Sequence, residues 1–264
     1  MTIESGISIG DATRAPTIVR QITATDLINA LKQGLSDFNA KPTHVIFLCV
    51  IYPIVALVLA RLSSGYDLLP LFFPLLSGFA LIGPLAATGI YELSRRREQG
   101  LDYSWWHVFD VLRSPSLPAL ALLGLVLMAI FIAWLVTAML IYRQFFGDWM
   151  PESATAFLRE VLFTEAGWGL IIIGCGAGFF FAVLVLAISV VSLPMLLDRH
   201  VGAALAVKTS INAVLANPWA MALWGLIVAG ALVLGSLPFF VGLAVVLPVL
   251  GHATWHLYRK VVIR

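Results

Sequence analysis

From Thr209 to Tyr258 the chain runs without a single Asp, Glu, Lys or Arg. A bilayer-crossing helix needs roughly 20 mostly apolar residues, so this run predicts two spans. Pro238 divides them, because proline removes a backbone donor and disfavours helix in the residue before it; the spans fall at about 219–236 and 238–258. Upstream, apolar runs predict four more, at about 43–62, 68–91, 117–142 and 167–197. Barrel strands alternate apolar and polar residues. These runs are solidly apolar, so the predicted fold class is an all-α membrane protein with six transmembrane helices, in which each helix satisfies its own backbone.

Lys and Arg placement orients the spans. Arg14, Arg20, Lys32, Lys41, Arg95, Arg96, Arg97, Arg113, Arg199, Lys208, Arg259, Lys260 and Arg264 fall on one side of a six-span chain. The other side holds Arg61, Arg143 and Arg159 among Asp67, Asp148, Glu152, Glu160 and Glu165. Both termini are therefore expected in the cytoplasm. Trp105, Trp106, Trp149, Trp168, Trp219 and Trp255 lie near the expected interfaces.

Three segments before spans have helical apolar spacing: Leu27, Leu31, Leu35, Phe38; then Trp105, Val108, Phe109, Leu112; then Ala204, Val207, Ile211, Val214, Leu215. Each ends at a proline, in Lys41-Pro42, Ser114-Pro115 and Asn217-Pro218, and the later span of each unit has a late proline, Pro84, Pro194 or Pro248. This reads as three parallel pseudo-repeats, about 25–92, 102–198 and 203–258, each an interfacial amphipathic helix plus a transmembrane hairpin. The domain reading is a disordered cytoplasmic tail, 1–24, and a single six-span membrane domain, 25–264.

Composition agrees: 61% of the 264 residues are hydrophobic and 11% charged, against about 25% charged in soluble domains. The net charge of +2 gives no footprint for nucleic acid. Cys49 and Cys175 sit inside apolar runs and imply no disulfide framework.

The pieces Gly83-Pro84-Leu85-Ala86-Ala87-Thr88-Gly89-Ile90-Tyr91-Glu92, Arg95-Arg96-Arg97 and Gly251-His252-Ala253-Thr254-Trp255-His256-Leu257-Tyr258-Arg259 resemble a family of uncharacterised bacterial integral membrane proteins, a domain of unknown function. Some members carry a loose cytochrome c oxidase subunit label. The resemblance, over roughly 25–264, implies a multi-span bacterial inner-membrane protein and supplies no activity. A catalytic oxidase subunit places histidine ligands within its spans, and most spans here contain none.

Candidate chemistry is sparse. All five histidines, His44, His107, His200, His252 and His256, fall toward the basic side. His252 and His256 are four apart on one helical face, a spacing that suits two metal ligands or one haem ligand; a third ligand would come from His107, His200, Glu92 or Asp198. The same pair also suits an aromatic-basic anchor with Trp255, Tyr258, Arg259 and Lys260 at headgroup depth. Mid-span polar atoms are confined to Ser77, Thr88, Thr137, Ser189 and Ser192, so ion-coupled transport lacks its usual carboxylates. Gly174-x-x-x-Gly178 is expected to bring helices close. Arg95-Arg96-Arg97 fits topology determination or anionic headgroup recognition.

No phosphate-binding loop, Gly-x-Ser-x-Gly or His-Glu-x-x-His motif occurs. The sequence thus points to a non-catalytic accessory, assembly or lipid-interacting component with no cofactor, whose partners are the bilayer, anionic lipid headgroups or another membrane protein. A transporter or channel for a small neutral or lipid-like solute, and a haem- or metal-binding subunit, are the alternatives.

Overall fold

The computed structural model describes residues 18–41, 69–199, 201–238 and 240–263. The expected span 43–62, with His44 and Cys49, and His200 lie outside the described residues. Among those residues the chain is helical: α1 (Ala24–Ala40), α2 (Phe72–Ala86), α3 (Thr88–Glu98), α4 (Leu117–Phe146), α5 (Ala154–Phe163), α6 (Glu165–Ser189), α7 (Ser192–Asp198), α8 (Ala203–Ala216), α9 (Pro218–Ser236) and α10 (Leu243–Val261). A nine-residue 3-10 segment, Trp105–Arg113, joins α3 to α4.

Four stretches are long and apolar enough to cross a membrane: Phe72–Glu98, Leu117–Phe146, Glu165–Asp198 and Pro218–Ser236. They answer to the spans expected at 68–91, 117–142, 167–197 and 219–236. The expected span 238–258 is not among them. Its helix, α10, is apolar only in its first half and carries His252, His256, Arg259 and Lys260 in its second. Of the five expected spans that fall on described residues, four are therefore found.

Proline chemistry sets the breaks. Pro194 cannot donate to Val190, and its ring crowds that carbonyl, so α6 and α7 part at Val190-Val191. At this break the Val191 N–H donates to Ser210 Oγ of α8 at 3.2 Å. Between α2 and α3, the Thr88 hydroxyl donates to the Leu85 carbonyl at 2.7 Å. The other hydroxyls expected within spans also turn to nearby backbone carbonyls: Ser77 to Pro74, Thr137 to Ala133 and Ser189 to Val185 within their own helices, and Ser192 of α7 back to Ile188 of α6. Each such bond satisfies the donor without a polar partner across the bundle.

Small residues let the spans approach. Gly78 of α2 lies under the ring of Phe131, and Gly124 of α4 under Leu85. Trp134 is buried where three spans meet: its indole N–H donates to the Pro74 carbonyl at 2.9 Å, and its ring lies 3.2 Å from the site a Cβ on Gly178 would take. Gly178 thus serves close packing as expected, whereas Gly174 faces open space among the described residues.

The amphipathic segments show their faces differently from the expectation. On α1 the buried residues are Leu27, Ala30, Gly34, Asp37 and Phe38, while Leu35 is exposed. The reason is the α1–α10 contact: a Cβ on Gly34 would lie 2.5 Å from the Ala253 backbone nitrogen, so the small side of α1 must face α10. On α8 the small residues Ala206, Thr209, Ser210 and Ala213 are buried, and Ile211 and Leu215 face outward. In the 3-10 segment residues three apart share a row. Trp105, Val108 and Val111 turn inward, and Trp106, Phe109 and Leu112 turn outward.

Residues 18–23, within the stretch expected as a disordered tail, run beside the C-terminus. Val19 pairs with Val262, Arg20 N–H donates to Val261 at 2.8 Å, and Ile22 N–H donates to Asn217 Oδ1 at 2.7 Å.

Candidate functional site: a polar layer at the basic end

The charged halves of α3 and α10 lie side by side. Gly251 packs on Ile90, where the apolar part of Phe72–Glu98 gives way to Glu92, Ser94 and the arginine run. The 27-residue stretch Phe72–Glu98 extends about 40 Å at 1.5 Å per residue, longer than a hydrocarbon core of about 30 Å. That length leaves room for its polar end outside a core of that thickness, and the second half of α10 stands beside that end.

Asp37 of α1 is the hub. Its Oδ2 accepts from Ser94 Oγ at 2.6 Å and from His256 Nε2 at 2.8 Å, and its Oδ1 accepts from Arg97. One buried carboxylate thus joins three helices. Burial alone would raise its pKa, but the hydrogen bonds from His256 and Ser94 outweigh that and hold it below the usual carboxylate range. His252 Nδ1 lies 2.7 Å from Ser94 Oγ. Because Ser94 spends its proton on Asp37, the proton of that contact belongs to His252 Nδ1. Its Nε2 is then a bare lone pair, buried and without a hydrogen-bond partner among the described residues. His252 is 3% exposed. Burial pushes its pKa down to about 4, with the Asp37 charge working in the opposite sense.

Arg95-Arg96-Arg97 is a structural junction. Arg95 makes a two-pronged pair with Glu92, Arg96 reaches Asp110 of the 3-10 segment at 3.2 Å, and Arg97 reaches Asp37. Arg259 bridges Glu98 at 2.8 Å and Asp198 at 3.2 Å. Trp255 donates to Glu98 and Tyr258 to Asp198. Trp255 and Tyr258 are fully buried, so the expected interfacial anchor is instead part of the core that ties α10 to α3 and α7. Around His107, Nδ1 meets Asp110 at 2.7 Å and Nε2 meets Asp102 at 3.1 Å. That hydrogen bond and one from Ser104 hold Asp102 down at about 2.

His252 and His256 thus share a face, as their spacing implies, and both turn to the Asp37–Ser94 pair. The residues considered as third ligands go elsewhere: Glu92 to Arg95, His107 to Asp102 and Asp110, Asp198 to Tyr258 and Arg259. Among the described residues no three His, Cys, Asp or Glu side chains are arranged to hold a metal ion. Asp37 and Ser94 were missed by sequence reasoning. The available signal was a carboxylate on the same face of α1 as Ala30, Gly34 and Phe38.

Apolar helices of spanning length under a polar layer define the class: an integral membrane protein with several apolar helices. Residues 72–198, from α2 through α7, match the model of a family described as Predicted integral membrane protein (DUF2189), the uncharacterised family the sequence resembles. The match takes in the pieces at 83–92 and 95–97 and ends before the piece at 251–259. No curated protein and no solved structure matches the chain.

Proposed function

We propose that this is a non-catalytic, lipid-interacting component of the bacterial inner membrane, crossing it six times as three parallel units with both termini in the cytoplasm. The observation that carries the lipid reading is the outward row of the 3-10 segment: Trp106, Phe109 and Leu112 are 63%, 49% and 64% exposed. A contiguous row of large apolar side chains is costly in water. Here it stands at the foot of two spans. Val108, on the inward row, occupies the space beside Gly89, within Phe72–Glu98. A short amphipathic helix at that depth buries its apolar side among headgroups and upper acyl chains. Asp37 and its donors supply the rigid layer behind it, fixing α1, α3 and α10 as one unit.

The test is fluorescence quenching of the full chain in neutral phosphatidylcholine vesicles carrying bromine near the headgroup. Trp106→Phe should remove a strongly quenched component of the emission. Unchanged bromolipid quenching, with loss of an iodide-accessible component instead, would place Trp106 in water and remove the lipid reading.

A second reading, a haem- or metal-binding subunit, is favoured by one observation, the buried and unpartnered His252 Nε2. Metal analysis and an absorption spectrum of the purified protein, with His252→Ala as control, decide it: a bound group that disappears in the variant supports it, and an empty wild type ends it.

A further inference from the structure

The arginine run is the obvious candidate for recognising anionic lipid, yet its three guanidinium groups are held by Glu92, Asp110 and Asp37. The cation beside the outward row is a different one. The 3-10 segment has three rows. The third holds His107, Asp110 and Arg113. His107 and Asp110 pair with each other, and Asp110 also holds Arg96. Arg113 is exposed and makes no ion pair with any described residue. It follows Leu112 directly, so a guanidinium free to bind a ligand borders the apolar row at the end nearer α4.

We propose that the Trp106–Phe109–Leu112 row and Arg113 form a binding site for an acidic phospholipid of the cytoplasmic leaflet, the row contacting the upper acyl chains and Arg113 the headgroup phosphate. This rests on the lipid-seated reading of the 3-10 segment. Charge and position select the occupant. A free guanidinium favours a phosphate over a neutral surface, and the inward side of the segment, through Val108, packs on Phe72–Glu98 at Gly89, which leaves the row facing away from the protein beside a stretch long and apolar enough to span. The pattern recurs on the next loop helix. In α8 and the start of α9, Ile211, Leu215 and Trp219 are exposed, the last two at 72% and 88%, and Lys208 makes no ion pair with any described residue. The Val191–Ser210 hydrogen bond puts this helix at the polar end of Glu165–Asp198. Each loop thus presents an outward apolar row with a cation beside it that no described residue engages in an ion pair.

The experiment is native mass spectrometry of the full chain in mild detergent with equimolar phosphatidylglycerol and phosphatidylcholine. Wild type should retain phosphatidylglycerol preferentially. Arg113→Gln and Lys208→Gln should each lower that preference about fivefold, the effect of one basic residue at a charged surface, and Arg113→Lys should keep most of it. Arg143→Gln, at the opposite end, should change nothing. Excess inorganic phosphate should not displace the lipid. The proposal is overturned by a wild type without preference, by an Arg113→Gln protein that keeps it in full, or by displacement with phosphate alone, which would make the site one for a free anion. Bromolipid quenching at Trp106 in neutral vesicles does not depend on Arg113. Loss of headgroup selectivity with quenching intact would therefore sink this inference and leave the lipid-seated reading standing.

Discussion

Replacing Asp37 by Ala removes the acceptor shared by Ser94, His256 and Arg97, and the structure says how much that costs. Arg97 is about one-third exposed, so its guanidinium regains water and its pair with Asp37 counts for little. Ser94 is fully buried, but it can rotate to donate to His252 Nδ1, moving that ring's proton to Nε2. His256 is mostly buried and loses its one hydrogen-bond partner among the described residues, a bond to a charged group of the kind that contributes about 1.5–3 kcal/mol. With the small space left behind, the expected loss is about 3 kcal/mol, at the lower edge of the range for breaking a buried pair. In a chain of this size that corresponds to roughly 6–12 °C in melting temperature. Thermal unfolding in mild detergent, followed by near-ultraviolet circular dichroism, measures it. Limited proteolysis should show α1 released before the spans, because Asp37 is the main polar tie between α1 and α10. Asp37→Asn, which keeps the shape and one acceptor, should fall in between. A variant melting within about 2 °C of wild type, with α1 equally resistant, would refute the reasoning.

Other expectations follow from the same contacts. Gly34→Leu should detach α1, since even a Cβ would lie 2.5 to 2.8 Å from Ala253 atoms; a loss of at least about 1–3 kcal/mol and early cleavage near residue 24 would show it. Acid should weaken the fold in two steps. His252 has a depressed pKa, so the unfolded chain binds a proton that the folded chain refuses; stability falls from about pH 6.5 toward the folded value of about 4, by about 3 kcal/mol in all. Asp37, also depressed, contributes stability that is lost below its unfolded value of 3.8. A pH series of melting temperatures checks both, and His252→Asn should flatten the upper step. Alkaline phosphatase fused in the loop at Pro151 should be active, and green fluorescent protein fused after Arg264 should fluoresce; the reverse pattern would overturn the orientation.

Four spans were legible because continuous apolar runs bounded by charge have few other solutions. The span expected at 167–197 reads as unbroken in the sequence, and the structure parts it at Val190-Val191, before Pro194. The pattern grouped the large side chains of each amphipathic segment on one face without fixing whether that face packs on protein or meets lipid, and the structure divides them. Apolar spacing identifies the large side chains, but in a membrane the large ones need not turn inward. The small residues Ala30, Gly34, Ala206 and Ala213 do so, and at Gly34 the reason is the close approach of the α10 backbone at Ala253. The 3-10 geometry of Trp105–Arg113 replaced a helical row by a period of three and moved Trp105 and Val108 to the inner side. The site was half visible. His252 and His256 share a helix, so their spacing reported them. Asp37 and Ser94 reach them from positions more than 150 residues away in the chain, and no local period encodes that meeting. Trp255 and Tyr258 looked interfacial by type but are buried because Glu98 and Asp198 accept their polar atoms.

Which side of the 3-10 segment meets lipid decides whether Trp106, Phe109 and Leu112 seat in the bilayer. Spin labels placed one at a time on cysteines from 105 to 113, in a protein with Cys49 and Cys175 replaced by alanine and reconstituted in vesicles, measure this directly. Oxygen accessibility should peak at 106, 109 and 112, with 105, 108 and 111 protected from oxygen and from a water-soluble nickel reagent alike. Peak nickel accessibility at 106, 109 and 112 would put that row in water and contradict the account.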